Sequence, residues 1–192
     1  MRCRAAALVV LVVLWGIVCA PAAGAQTSAD KAFVSGGKVD VHLDAGDYEV
    51  RPATDNHVRV SMTGRVGNAA VDVVIAGTHA DVTVKNTAHT NFKCVIEVPK
   101  TSDVAIRLSA GDLDVGPISG SKDIESTVGD LKIAVGDPDS YSSVDASVKI
   151  GDLSGGPFGN PEGGFLSHSI KKTGKGKYTL RAQLGTGDLK LR

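Results

Sequence analysis

The sequence predicts an all-β chain built as a β-solenoid-like, single-stranded β-helix stack of short strands, with a two-sheet β-sandwich as the alternative. Three observations carry this. Gly-Asp-Leu occurs at Gly111–Leu113, Gly129–Leu131, Gly151–Leu153 and Gly187–Leu189, at intervals of 18, 22 and 36 residues. Apolar and polar residues alternate with a period of two on both sides of these copies. Outside the first 25 residues, no stretch repeats apolar residues at helical spacing over three turns. A fixed corner followed by an apolar strand, recurring every 18 to 22 residues, is the signature of stacked supersecondary units that share one core.

The chain opens on Met1-Arg-Cys-Arg4, an apolar run from Ala5 to Ala20, and Ala23-Gly24-Ala25 before Gln26. A basic start, an apolar centre and a small-x-small tripeptide are the parts of a cleaved secretory signal peptide, here 1–25. The mature chain of 167 residues then carries 19 basic and 21 acidic residues, a net charge of −2. That balance gives no footprint for nucleic acid. No second apolar run is long enough to span a bilayer, so no stable membrane span is expected after cleavage. Cys3 and Cys19 leave with the signal, which removes any internal disulfide. Cys94 shares an alternating face with Phe92, Ile96 and Val98, as a buried, unreactive thiol would.

Residues 26–32 are polar and are expected to be a flexible lead-in to a single domain over 33–192. Val39, Val41 and Leu43 then alternate with Asp40 and His42. Tyr48 and Val50 follow a looser corner, Gly46-Asp47-Tyr48. Val58, Val60 and Met62 form the next alternation, and strands over 71–75, 82–84 and 92–98 continue it up to Pro99, which cannot extend a ladder. From Asp103 each unit is a strand, a Gly-Asp corner and a second short strand. Glycine tolerates positive φ at the corner. Aspartate bonds nearby amides. Leucine is placed inward. Pro157–Gly164 interrupts the array as an exposed loop.

Residues Gly36-Gly37-Lys-Val-Asp-Val41, the Val-Pro ending of Ile96–Pro99, the repeated Gly-Asp corners and the closing Gly187-Asp-Leu-Lys-Leu191 together resemble the bacterial putative-adhesin family of envelope proteins. The resemblance spans 33–192. It implies a β-helix-like stack and a periplasmic, cell-surface or secreted location, and it supplies no catalytic residues.

The residues themselves offer no catalytic, cofactor or metal site. The five histidines (His42, His57, His79, His89 and His168) lack ligand spacing, and neither H-E-x-x-H, C-x-x-C nor a Gly-x-Ser-x-Gly elbow is present. The corner aspartates Asp112, Asp130, Asp152 and Asp188 are read as turn formers; a calcium column is the competing reading. Aromatic residues are scattered, and Phe158 and Phe165 flank the loop. The expected function is a non-enzymatic, adhesin-like interaction module for an envelope protein or glycan. A small polysaccharide-active β-helix enzyme and a self-assembling envelope domain are the alternatives.

Overall fold

The computed structural model describes residues 28–87, 91–164 and 166–192. The expected signal peptide, His89 and Phe165 lie outside them. The described chain is all-β, with two short 3-10 turns at Pro138–Ser140 and Gly156–Phe158. Its strands are β1 (Ser28–Ala32), β2 (Lys38–Leu43), β3 (Asp47–Ala53), β4 (His57–Gly64), β5 (Ala70–Ala76), β6 (His79–Lys85), β7 (Phe92–Pro99), β8 (Asp103–Ala110) and β9 (Leu113–Val115). They continue with β10 (Lys122–Val128), β11 (Leu131–Ile133), β12 (Tyr141–Ile150), β13 (Leu153–Ser154), β14 (Glu162–Gly163), β15 (His168–Thr173), β16 (Tyr178–Thr186) and β17 (Leu189–Leu191).

These strands make two mixed sheets. Sheet A has the order β1-β4-β7-β3-β9-β11-β17-β13, and sheet B the order β14-β15-β12-β16-β10-β8-β2-β6-β5. Their inward residues form one continuous apolar core. Two sheets over one core fit the sandwich alternative.

The corners explain how the sheets are joined. Each unit gives one strand to sheet B, turns at Gly-Asp, and gives the next strand to sheet A. Leu113 pairs with Leu131, Leu131 with Leu189, and Leu189 with Leu153, all in parallel register and all buried. Tyr48 extends this internal column, so the looser corner at Gly46 belongs to the same series. Each leucine withdrawn from water contributes roughly 1.5–3 kcal/mol, which no single rung could secure alone.

The rungs do not stack in chain order, as coils of a simple solenoid would. The spatial series of corners is Gly46, Gly111, Gly129, Gly187, Gly151, so the last unit lies between the Gly129 and Gly151 units. The cause is local. After β13 the chain forms the β14–β15 hairpin, and β15 takes the outer edge of β12 in antiparallel register. Only the inner edge of β12 remains, and β16 pairs there and with β10. Rungs at the other end also depart from a uniform coil, because β4 and β5 run antiparallel to β7 and β6.

One further expectation changes. Ser28–Ala32, expected as a flexible lead-in, is β1 and pairs antiparallel with β4. Edge pairing needs only backbone groups, so a polar stretch with no apolar alternation serves. Lys190 stands on β17, inside sheet A between β11 and β13. Arg192, just after it, grips Asp114 through two contacts of 2.6 and 2.8 Å. The N-terminal end of the stack is closed where β1 nears β5, with the Lys31 ammonium on the Val73 carbonyl. No helix among the described residues is long and apolar enough to cross a membrane.

Candidate functional site

The outer face of sheet B carries an ordered array of polar side chains. Register places Thr83, His42, Arg107, Glu125, Gln183 and Ser147 in one row across six strands. Their immediate neighbours along each strand, such as Val41, Ile106 and Ile124, are buried. The period-two pleat therefore sets which side chains reach solvent. Arg107 stands directly opposite Glu125, a favourable cross-strand pairing, with Arg107 Nε 3.0 Å from Glu125 Oε2. Asp123 lies between two arginines, 2.8 Å from Arg107 Nη2 and 3.4 Å from Arg181 Nη1.

Two concavities share this face. One, of about 570 Å³, is lined by His42, Arg107, Glu125, Gln183 and Lys149 among others. The second, of about 490 Å³, adjoins it through His42 and Arg107 and reaches Asp103, Asp123 and Arg181. The inside–outside alternation breaks at Ser109–Ala110, Thr127–Val128, Gly185–Thr186 and Lys149–Ile150, where two successive residues leave the core. That step borders the larger concavity. Beyond it runs a row of Ala110, Val128, Thr186 and Ile150, in which Val128 and Ile150 are about half exposed, at 48% and 53%. A polar hollow with an apolar lip is suited to non-covalent contact with a partner. The acids that line it are engaged: Glu125 by Arg107, and Asp44 by the Asn86 amide, which it accepts at 2.8 Å.

The corner aspartates form a ladder of a different kind. The amides of Asp130, Asp188 and Asp152 donate to Oδ1 of Asp112, Asp130 and Asp188 respectively, each at 3.2 Å. Each such carboxylate tethers the next rung, which accounts for aspartate at this position without calcium.

Lys122 gave no signal in the sequence. It is 1% exposed and sits on the inward face of β10. Its ammonium donates to the Ile118 carbonyl and the Tyr141 hydroxyl, both at 2.6 Å, and lies 5.2 Å from the Tyr141 ring centroid. Tyr141 in turn donates to the Val135 carbonyl at 2.9 Å. Burial among uncharged groups pulls the lysine down to about 8. Phe158 packs edge-on against Tyr141 at 6.1 Å, covering this end of the stack instead of forming a free aromatic platform.

Of the remaining sequence candidates, Cys94 is fully buried, and burial pushes its thiol up to about 12. His42 faces the concavities. His57 meets Asp30 at 2.6 Å, and His168 Nδ1 lies 3.0 Å from the Gly151 carbonyl. His79 stands between two aspartates on neighbouring strands, an arrangement that linear spacing does not reveal.

No protein-family model and no curated protein matches the chain. Among solved structures it is similar to a putative cell adhesion protein from Clostridium sporogenes, with 11% identity and a TM-score of 0.50 over 86% of this chain and 99% of that one. The likeness is one of fold. Putative adhesins from Bacteroides fragilis (9% identity) and Parabacteroides distasonis (12% identity) align over 86% of this chain and 96% of theirs, but their TM-scores of 0.25 carry no argument.

Proposed function

We propose that this protein is an exported, non-enzymatic interaction module of the bacterial cell envelope, adhesin-like in role, built as a solenoid-like stack of corner-joined rungs. The observation that carries the reading is the in-register outer face of sheet B, where a polar concavity of about 570 Å³ lies beside an apolar lip. Hydrogen-bonding groups there are held by a rigid ladder, and the surface is open along its length. Such a surface suits an extended glycan or a protein segment. The signal-peptide pattern of 1–25 supports export. The likeness in fold to the putative cell adhesion protein from Clostridium sporogenes supports the adhesive role.

The test is binding of the full mature chain to arrays of envelope glycans and extracellular proteins, with reducing-end release measured in parallel. A K149E/Q183R double variant changes the charge of the hollow, and K132E changes a solvated position on sheet A as a control. The reading expects the double variant to lose at least tenfold in affinity, about 1.4 kcal/mol, while K132E binds as the parent does. Equal binding by both variants would place the surface elsewhere. Release of reducing ends would turn the protein into a polysaccharide-active enzyme.

A further inference from the structure

Beside the hollow, β2 and β6 run parallel, with Lys38 opposite His79 and Asp40 opposite Asp81. Alternate residues share a face, so these four side chains project together. Two carboxylates directly opposite each other repel, and such a pair destabilises a sheet unless a cation serves both. His79 Nε2 lies 3.1 Å from Asp40 Oδ2 and 3.4 Å from Asp81 Oδ2, and the three donor atoms all lie within 4.8 Å of one another. A ring nitrogen carries one proton and donates it in one direction. A single hydrogen bond from His79 therefore leaves one carboxylate without it.

A divalent ion answers this geometry. Zinc binds imidazole nitrogen and carboxylate oxygen at about 2.1 Å, which separates neighbouring donors by about 3.0 Å in octahedral and about 3.4 Å in tetrahedral coordination. The observed 3.1 and 3.4 Å fall in that interval. We propose that Asp40, His79 and Asp81 form a zinc-class metal site on the outer face of sheet B, with its open coordination positions toward solvent. The mixed imidazole and carboxylate set favours zinc or cobalt over the all-oxygen demands of magnesium or calcium.

Lys38 is the chain's own competitor for this place. Its ammonium is 2.9 Å from Asp40 Oδ1 and 3.2 Å from Oδ2. The side chain is 55% exposed and has room to swing into solvent as a metal enters. Removing it should therefore tighten binding, an effect that a purely structural ion-pair cluster would not produce. The site is independent of any partner for the hollow, since it needs only this chain and the ion.

The experiment is calorimetric titration of the protein, without a polyhistidine tag, with zinc chloride, paired with the visible absorption of the cobalt form. One equivalent of zinc is expected. H79A and D81N should each weaken binding by about tenfold or more. K38M should bind more tightly, and H57A, at a histidine that faces Asp30 instead, should bind like the parent. All four positions are solvent-accessible, so melting without metal should stay close to the parent's. The proposal is overturned if the parent takes up no zinc at about 1 mM, if H79A and D81N both retain the full equivalent, or if K38M loses it.

Discussion

Replacing Gly129 by alanine tests how the corners hold the rungs together. Gly129 has φ +127°, and a Cβ there would lie 1.9 Å from the Gly111 carbonyl oxygen. Two costs follow. The backbone region itself is almost closed to residues other than glycine and costs roughly 1–3 kcal/mol. The overlap with a main-chain atom forces adjacent rungs apart, which strains the Gly111 N–H to Val128 and Gly129 N–H to Thr186 bonds, both 2.9 Å. At about 1 kcal/mol net per bond, the sum is roughly 3–5 kcal/mol, a large share of an ordinary domain's stability. Gly77 is the matched control: its φ is +61°, and nothing lies within 4 Å of the position its Cβ would take. G77A should therefore lose only the backbone cost, about 1–2 kcal/mol. Urea unfolding followed by far-ultraviolet circular dichroism measures both. If G129A is no less stable than G77A, the corners do not make the close approach described above.

Lys122 makes stability depend on pH. The unfolded chain keeps this proton up to about 10.5, whereas the folded chain releases it near 8, so its contribution to stability rises as pH passes from 8 to 10.5, by about 3 kcal/mol in all. Cys94 and Tyr141, both raised by burial, act in the opposite direction at alkaline pH. The stability difference between K122M and the parent isolates the lysine: it should move in the parent's favour by over 1 kcal/mol per pH unit between 8 and 10, and a flat difference would contradict the buried ammonium. D130A removes the acceptor for the Asp188 amide and should cost about 1 kcal/mol, while D130N keeps an oxygen there and should cost less; equal losses would mean that the ladder contributes nothing. The Cys94 thiol should react with a disulfide reagent only at the rate of global unfolding, and rapid labelling of the native protein would refute its burial.

Much of this architecture was legible in the sequence because it rests on local chemistry. The alternation of Val39, Val41 and Leu43 with Asp40 and His42 gives the buried and solvent faces of β2 without knowledge of its neighbours. The Gly-Asp-Leu copies mark real corners, and their leucines share one column. What escaped the sequence is long-range. Nothing local says that β15 occupies the outer edge of β12 and sends β16 to the inner one. β1 escaped because an edge strand can be held by its backbone alone. Lys122 stands at an inward position of an alternating strand, but only the placement of the Ile118 carbonyl and the Tyr141 hydroxyl makes its burial tolerable. The row from His42 to Ser147 and the cluster of Asp40, His79 and Asp81 are products of register between strands distant in sequence.

The order of the rungs underlies the candidate surface, since Gln183 lies between Glu125 and Ser147 only if the last unit enters between the Gly129 and Gly151 units. Paired cysteines test that order directly. Lys132 and Lys190 are exposed register partners on adjacent parallel strands, whereas Lys132 and Ser154 are separated by β17. Neighbouring strands lie about 4.8 Å apart and alternate ones about twice that, beyond the span of a disulfide. Under mild oxidation of the folded protein, K132C/K190C should cross-link and K132C/S154C should not. Cross-linking of K132C/S154C in place of K132C/K190C would put the rungs in chain order and dissolve the row on which the proposed surface rests.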